Sequence, residues 1–122
     1  MVSTDHSQPQ RGELWLTRFG AGQVGEPTKT RPALVLSANG QHTRSPFDLI
    51  IVAPVSASLL PTLTRPGLMA SAESGLEVDS VVVLRAIRGV ALSRLVGRLG
   101  KVSEQTLEDL GVILQALLGL PD

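Results

Sequence analysis

The chain has 122 residues, of which 43% are hydrophobic and 18% are charged. This length and composition predict one folded domain and exclude a chain that is disordered throughout. Eleven basic and eleven acidic residues give a formal net charge of zero, so a nucleic-acid site needs local clustering of basic residues. The chain has no cysteine, which excludes disulfides, thiolate zinc sites and cysteine nucleophiles. Because residues 1–10 are polar and no apolar run reaches the roughly 18 residues of a membrane span, we expect a cytoplasmic protein.

In chain order, the hydrophobic pattern predicts a disordered polar tail at residues 1–10 and a single domain at residues 11–122. Between residues 19 and 30, three glycines and a proline predict a long connection. Short segments rich in Val, Ile and Leu predict β-strands elsewhere. These strands are Glu13–Thr17, Pro32–Ser37, Leu49–Val55, Ser80–Leu84, Ala86–Val90 and Leu95–Val102, with an edge strand near Leu68.

The C-terminal segment has a helical period. Apolar residues recur there at spacings of three and four, at Leu107, Leu110, Ile113, Leu114, Leu117 and Leu118. This pattern predicts an amphipathic helix over residues 103–118, with Ser103 as N-cap and Gly119 and Pro121 at its end. Several strands followed by one helix predict a mainly β fold, either a small barrel or a strongly bent sheet with a covering helix. Side chains fill so small a barrel, so a binding site has to lie on its loops or outer groove.

Two segments place polar side chains next to an apolar strand. In Lys29–Pro32 (KTRP), the proline favours an extended Arg31, whose guanidinium group matches phosphate oxygens bidentately. Ser56 and Ser58 follow the strand at Leu49–Val55, and their hydroxyls are able to donate to a phosphate. Each segment has a simpler interpretation, because arginines at strand ends are often solvated and serines often terminate strands.

A basic run without any acidic residue spans residues 81–101. It contains Arg85, Arg88, Arg94, Arg98 and Lys101. The run predicts a basic surface with salt-dependent binding of phosphate groups, although strand alternation would divide these residues between two faces. The histidines and acidic residues do not have the spacing of metal ligands, so we predict no metal site and no cofactor.

Several motifs follow one another in a recognisable order. They are Arg11–Trp15 (RGELW), a glycine-rich connection, Lys29–Ser37 (KTRPALVLS), Ile51–Ser56 (IVAPVS), Asp79–Val82 (DSVV), Ile87–Arg88 (IR) and Ser93–Leu95 (SRL). Together with the closing helix, they resemble the MazF/PemK family of toxins from type II toxin–antitoxin systems. Each motif is weak alone, but their order and spacing are fairly specific over a resemblance that runs from about Arg11 to Leu120.

The resemblance implies an SH3-like barrel of the CcdB/PemK kind and a homodimer. It implies a metal-independent, sequence-selective endoribonuclease that cleaves single-stranded RNA or mRNA and inhibits translation and growth. In such a reaction the RNA 2′-hydroxyl attacks the adjacent phosphate and leaves a 2′,3′-cyclic phosphate. The expected partner is a cognate antitoxin with a disordered acidic tail that folds on the toxin.

The resemblance also assigns expected roles to residues. Arg31 and Ser56 match the family's central catalytic pair, Glu26 matches its loop glutamate, and Arg88 matches the arginine of its I-R motif. The expected RNA-binding residues lie near the catalytic pair or in the basic run, and they are Lys29, Thr30, Ser58, Arg85 and Arg88. The chain departs from the family at Gly25-Glu26-Pro27 and at Ala86. These departures leave a catalytically weak RNA-binding relative open, and because CcdB-type toxins share the barrel, a CcdB-like gyrase-binding toxin stays open as well.

Overall fold

The computed structural model describes residues 8–20, 29–39 and 47–121. Within these ranges it contains seven β-strands and one α-helix. The strands are β1 (Glu13–Phe19), β2 (Lys29–Val35), β3 (Leu49–Ser56), β4 (Gly67–Leu68), β5 (Ser80–Val82), β6 (Arg88–Ala91) and β7 (Leu95–Lys101). The helix is α1 (Glu104–Leu117). The predicted mainly β fold with a C-terminal helix is confirmed.

All the strands join one curled antiparallel sheet in the order β4-β5-β3-β2-β1-β7, with β6 paired to β3 beside this path. Strand β3 is the longest and has two partners along one edge. Its first half pairs with β6, from Leu49–Ala91 to Val52–Arg88, and its end pairs with β5 at Ser56–Val81. Its other edge pairs with β2. The sheet therefore curls into a half-barrel around β3.

The alternation of side chains along each strand gives the sheet two apolar faces. One face packs against α1 through buried residues such as Leu14, Leu34 and Ala53, with Leu110 as the fully packed residue of the helix. The opposite face forms a second cluster, made of Trp15, Phe19, Ala33, Val35, Ile50, Val52, Val90 and Leu95. The only tryptophan is thus a core residue of the second cluster, as its place in an apolar strand predicts.

Helix α1 begins and ends with specific backbone hydrogen bonds. The Ser103 hydroxyl accepts from the Thr106 N–H at 3.1 Å, which confirms the predicted N-cap. At the other end, the N–H of Gly119 donates to Ala116 and that of Leu120 donates to Gln115. This is the Schellman arrangement, and Gly119 adopts the positive φ of 70° that it requires. No helix within the described ranges is long and apolar enough to cross a membrane.

Several of the predicted strand boundaries are wrong by two or three residues. Strand β2 begins at Lys29 rather than at Pro32, because its polar start pairs with the end of β1, from Phe19–Lys29 to Thr17–Arg31. Arg31 therefore lies inside a strand and not at the junction of a loop and a strand. In addition, a 3₁₀ turn at Leu84–Ala86 shortens β5 and delays β6, because the N–H groups of Ala86 and Ile87 donate to the carbonyls of Val83 and Leu84 within the turn.

The start of β1 is tied to β7 through the carboxylate of Glu13. One carboxylate oxygen accepts from Arg98 Nε at 2.6 Å. The other oxygen accepts from the backbone N–H of Gln10 at 2.7 Å and from the Trp15 indole N–H at 3.1 Å. Within the described part of the chain, this is the one ion pair. Glu13 thus holds three features in place: the backbone that leads into β1, the Trp15 indole ring, and the β1–β7 seam, which is the line along which these two strands pair.

Candidate functional site

Arg31 is an exposed residue in the middle of β2. It lies opposite Thr17 of β1, which is fully buried and whose hydroxyl donates to its neighbouring backbone carbonyl at Trp15. Residues directly opposite in a sheet share a face, so Arg31 and Thr17 lie on the face of the second cluster. The guanidinium group therefore projects from a paired strand at the edge of an apolar surface, which limits the positions it can reach.

Ser56 is the last residue of β3 and lies at the same end of the sheet as Arg31. The last β2–β3 pair is Ala33 with Pro54, and the same register carried on by two residues brings Arg31 level with Ser56. Ser56 is 8% exposed and pairs on its other side with Val81 of β5. Carried on in this way, the register sets level with each other two residues that lie 25 positions apart in the sequence.

The hydroxyl of Ser56 is held by Ser58. The backbone N–H of Ser58 donates to Ser56 Oγ at 3.2 Å, and the two Oγ atoms also lie 3.2 Å apart. Because the Ser56 oxygen already accepts one hydrogen bond, its own proton is able to point away from the turn. A rigid hydroxyl donor and a permanent cation at one edge suit a tetrahedral or trigonal oxyanion such as a phosphate.

Lys29 and Thr30 precede Arg31 on β2, and both are exposed. Alternation places Lys29 on the same face as Arg31 and Thr30 on the opposite face. Of these two, Lys29 therefore extends the positive charge along the candidate site. Glu26, with its neighbours Gly25 and Pro27, lies outside the described residues.

Arg85 and Arg88 lie on the far side of β3. Arg85 is exposed on the 3₁₀ turn, which packs against β3. Arg88 starts β6 opposite Val52, and its guanidinium carbon lies 4.8 Å from the centroid of the Phe19 ring. This cation–π contact fixes Arg88 over the second cluster.

The basic run at residues 81–101 does not form one surface. Arg98 pairs with Glu13, and both line, together with Lys101, a pocket that also contains Glu73 and Glu104. Arg88 and Arg94 instead line a pocket with Arg18 of β1, a residue that the sequence pattern did not single out. Strand alternation and the curl of the sheet produce this division. In the described ranges, no group of three His, Cys, Asp or Glu residues is placed to hold a metal ion.

Comparisons with known proteins agree with this fold and arrangement. The model of a family described as PemK-like, MazF-like toxin of type II toxin–antitoxin system matches residues 10–118. A curated relative, Endoribonuclease MazF9 of Mycobacterium tuberculosis, is 32% identical over 114 residues, which cover 91% of this chain and 97% of the relative.

Solved structures show the same architecture. The crystal structure of MazF from Deinococcus radiodurans superimposes with a TM-score of 0.73 at 25% identity, covering 93% of this chain and 99% of the other. An endoribonuclease from a mycobacterial species, solved in complex with its cognate antitoxin, has a TM-score of 0.68 at 19% identity. That match covers 93% of this chain and 98% of the other.

Proposed function

Because the chain belongs to the PemK-like, MazF-like toxins of type II toxin–antitoxin systems, we propose that it is an endoribonuclease that cleaves single-stranded RNA. Cleavage of mRNA at short preferred sequences would stop translation and growth. What supports the proposal is the register of β2 and β3, which, carried on from the Ala33–Pro54 pair, sets Arg31 level with Ser56, whose hydroxyl oxygen accepts from the Ser58 N–H.

The proposed reaction takes its nucleophile from the substrate. The 2′-hydroxyl oxygen forms a bond to the adjacent phosphorus, the bond from phosphorus to the 5′ oxygen breaks, and the products are a 2′,3′-cyclic phosphate and a 5′-hydroxyl end. Negative charge grows on the phosphorane oxygens, where Arg31 and the Ser56 hydroxyl donate. Donors fixed in advance in this way contribute about 10²- to 10³-fold each to the rate. Since neither step uses a metal, the reaction runs in a chelator.

The reaction also needs two proton transfers, one from the 2′-hydroxyl and one to the departing 5′ oxygen. Arg31 is a poor base because a guanidinium group stays protonated. We assign Glu26 as the candidate base. Its replacement in Glu26→Gln should lower kcat and remove the acidic limb of the pH–rate profile, whereas a purely structural glutamate would leave the shape of that profile unchanged.

The decisive experiment is to incubate the purified protein with a long single-stranded RNA in EDTA and to identify the new ends. We expect cyclic phosphate ends, no cleavage where the 2′-hydroxyl of the cut site is replaced by hydrogen, and loss of at least 10²-fold in Arg31→Ala. The matched control is Lys101→Gln, which removes an exposed cation from the far end of β7. Cleavage of all-DNA at the same rate would contradict the mechanism. Intact RNA with inhibited gyrase would identify a CcdB-like toxin, and binding without cleavage would identify a weak RNA-binding relative.

The remaining RNA-binding residues have graded roles in this proposal. Lys29 and Arg85 would contact backbone phosphates on either side of Arg31, so their loss should weaken binding on all sequences alike. Thr30 and Ser58 offer hydroxyls, and those donate to phosphate, sugar or bases. Substitution of each residue, followed by separate measurement of KM and kcat, distinguishes binding from chemistry.

We further propose that the chain forms a homodimer and is neutralised by a cognate antitoxin with an acidic tail. Three large apolar side chains in β3 and just before it support the dimer, since Phe47, Leu49 and Ile51 are 82%, 69% and 47% exposed. Leu49→Asp should shift the mass in light scattering from two chains to one. The antitoxin complex of the mycobacterial neighbour supports the second partner. Co-expression with the cognate antitoxin should restore growth.

A further inference from the structure

A short hairpin at residues 59–66, the leucine hairpin, carries two leucines that lie almost entirely in solvent. Leu60 is 79% exposed and Leu63 is 87% exposed, which makes Leu63 the most exposed large hydrophobic residue of the described chain. Leu59, beside them in the sequence, is 42% exposed. Large apolar side chains that stand close together in water mark surfaces that a partner covers.

Backbone hydrogen bonds hold the leucine hairpin in one conformation. The N–H of Thr62 donates to the carbonyl of Arg65 and the N–H of Arg65 donates to the carbonyl of Thr62, both at 3.1 Å. The N–H of Leu84 donates to the carbonyl of Thr64 at 3.2 Å, which ties the hairpin to the 3₁₀ turn after β5. Two prolines flank the hairpin turn and fix φ there. Because this surface is ordered before it binds, docking on it costs little conformational entropy.

The two segments that form this surface carry positive charge only. Arg65 belongs to the hairpin, and Arg85 lies on the 3₁₀ turn to which the hairpin is bonded. No residue from 56 to 72 is acidic, and none in the turn is acidic. Among the described residues the one ion pair joins Arg98 and Glu13, so no described carboxylate neutralises either of the two arginines. A segment that covers this surface therefore needs apolar side chains for the leucines and carboxylates for the arginines.

The same charge disfavours two other occupants. In a two-fold symmetric dimer the same patch lies on both sides of the contact, so the arginines of one copy would face those of the other without a carboxylate between them. Single-stranded RNA supplies phosphates for the arginines, but a leucine side chain has no π-face on which a base stacks. An acidic amphipathic peptide satisfies both parts of the surface.

The leucine hairpin also borders the proposed cleavage centre. Ser58, whose N–H donates to Ser56 Oγ, directly precedes Leu59. Four residues of chain span at most about 14 Å, so Leu60 lies within that distance of Ser56. A peptide seated on Leu60 therefore reaches Ser56 with about five further extended residues.

We propose that the leucine hairpin, with Arg65 and Arg85, is the docking surface for an acidic amphipathic segment of the antitoxin. Leu60 and Leu63 anchor the segment, and the two arginines attract its carboxylates. The docked segment excludes RNA from the proposed cleavage centre, which neutralises the toxin. This inference rests on the proposed function, which supplies the antitoxin.

The test uses the full chain and, as probe, the antitoxin that restores growth in the co-expression experiment. Leu60→Ser and Leu63→Ser change largely solvated side chains, so we expect wild-type unfolding in urea and wild-type RNA cleavage by the free toxin. The Kd for the antitoxin should rise about tenfold or more for each leucine, because each loses the burial of an apolar side chain. In cells, the antitoxin should fail to restore growth when the double variant is expressed.

Two further variants separate the apolar anchor from the charge. Val112→Ser is the matched control, since it removes another exposed apolar side chain, on α1, and should bind the antitoxin as wild type does. Arg65→Gln should lower the association rate of the antitoxin and make that rate less dependent on salt.

Each other outcome would overturn one part of the reasoning. Wild-type antitoxin affinity in the double variant would overturn the proposal and leave the nuclease function intact. Loss of the dimer in light scattering would also overturn it and would assign the hairpin to a second copy. A raised KM for RNA with unchanged antitoxin affinity would overturn it and assign the hairpin to the substrate. If wild type cuts no RNA but antitoxin binding still depends on Leu60 and Leu63, the nuclease function fails and the docking surface stands.

Discussion

The carboxylate of Glu13 joins three parts of the fold, and its removal should cost a measurable share of the stability. It accepts from Arg98, from the backbone of Gln10 and from the indole of Trp15. In Glu13→Gln, the amide oxygen is able to keep the last two bonds, but the amide N–H₂ group then meets the guanidinium group of Arg98. In Glu13→Ala, none of the three bonds is able to form.

The structure sets the expected magnitudes. The Glu13 side chain is 15% exposed and that of Arg98 is 34% exposed, so solvent weakens the pair only in part. A net hydrogen bond contributes about 0.5–1.5 kcal/mol, and more when a partner is charged. We therefore expect the free energy of unfolding to fall by about 1–2 kcal/mol in Glu13→Gln and by about 2–4 kcal/mol in Glu13→Ala. For a chain of this size, each kcal/mol lowers Tm by about 3–5 °C.

Trp15 provides the assay, because it is the only tryptophan and donates directly to Glu13. Urea unfolding followed by its fluorescence gives the free energy of unfolding for Glu13→Gln, Arg98→Gln and the double variant. We expect a coupling energy of about 1 kcal/mol between the two sites. Glu108→Gln, an exposed change on α1, is the control and should have no effect. A coupling below about 0.3 kcal/mol would refute the reasoning that the ion pair stabilises the β1–β7 seam.

Three further changes test other parts of the structure. Gly100→Ala would place a Cβ 2.5 Å from the backbone carbonyl oxygen of Ser74. We therefore expect the free energy of unfolding to fall by at least about 2 kcal/mol in the same urea assay. An unchanged free energy of unfolding would mean that the backbone at Glu73 and Ser74 moves aside at little cost. Ser103→Ala removes the acceptor for the Thr106 N–H and should cost about 1 kcal/mol, whereas Ser103→Asp should recover it. Ser58→Ala keeps the backbone N–H that donates to Ser56 Oγ but removes the Ser58 hydroxyl. The rate of RNA cleavage should therefore fall by less than in Ser56→Ala. An equal loss in the two variants would show that the Ser58 hydroxyl is needed to orient Ser56.

The elements that local patterning determines could be predicted from the sequence. The period of three and four residues located α1, and the capping position of Ser103 is correct because an N-cap depends on neighbours only three residues away. The apolar run at Leu49–Val55 located β3 within one residue of its end. The predicted pairing of Arg31 with Ser56 came from the family resemblance, and the register of β2 and β3 gives it a physical basis.

The features that the sequence does not reveal depend on partners far along the chain. The polar residues Lys29–Arg31 have no strand pattern of their own and become a strand only because β1 extends to Phe19 beside them. Arg18 resembles an ordinary exposed residue of β1. It lines one pocket with Arg88 and Arg94 only because the sheet curls enough to bring the end of β1 to the connection between β6 and β7. No local pattern in the sequence encodes that closure.

The pairing of β1 with β7 has a consequence for the synthesis of this chain. Thr17 pairs with Leu95 and Glu13 with Lys101, so the first and last strands share one seam. The N-terminus leaves the ribosome first, so one edge of β1 has no partner strand until β7 has been synthesised. Contacts between such distant residues form late because loop closure costs entropy before the contact is made. A product of interrupted translation therefore lacks the seam, exposes the second apolar cluster and is open to proteolysis. Pairing of β1 along both of its edges therefore depends on translation through β7, to Lys101.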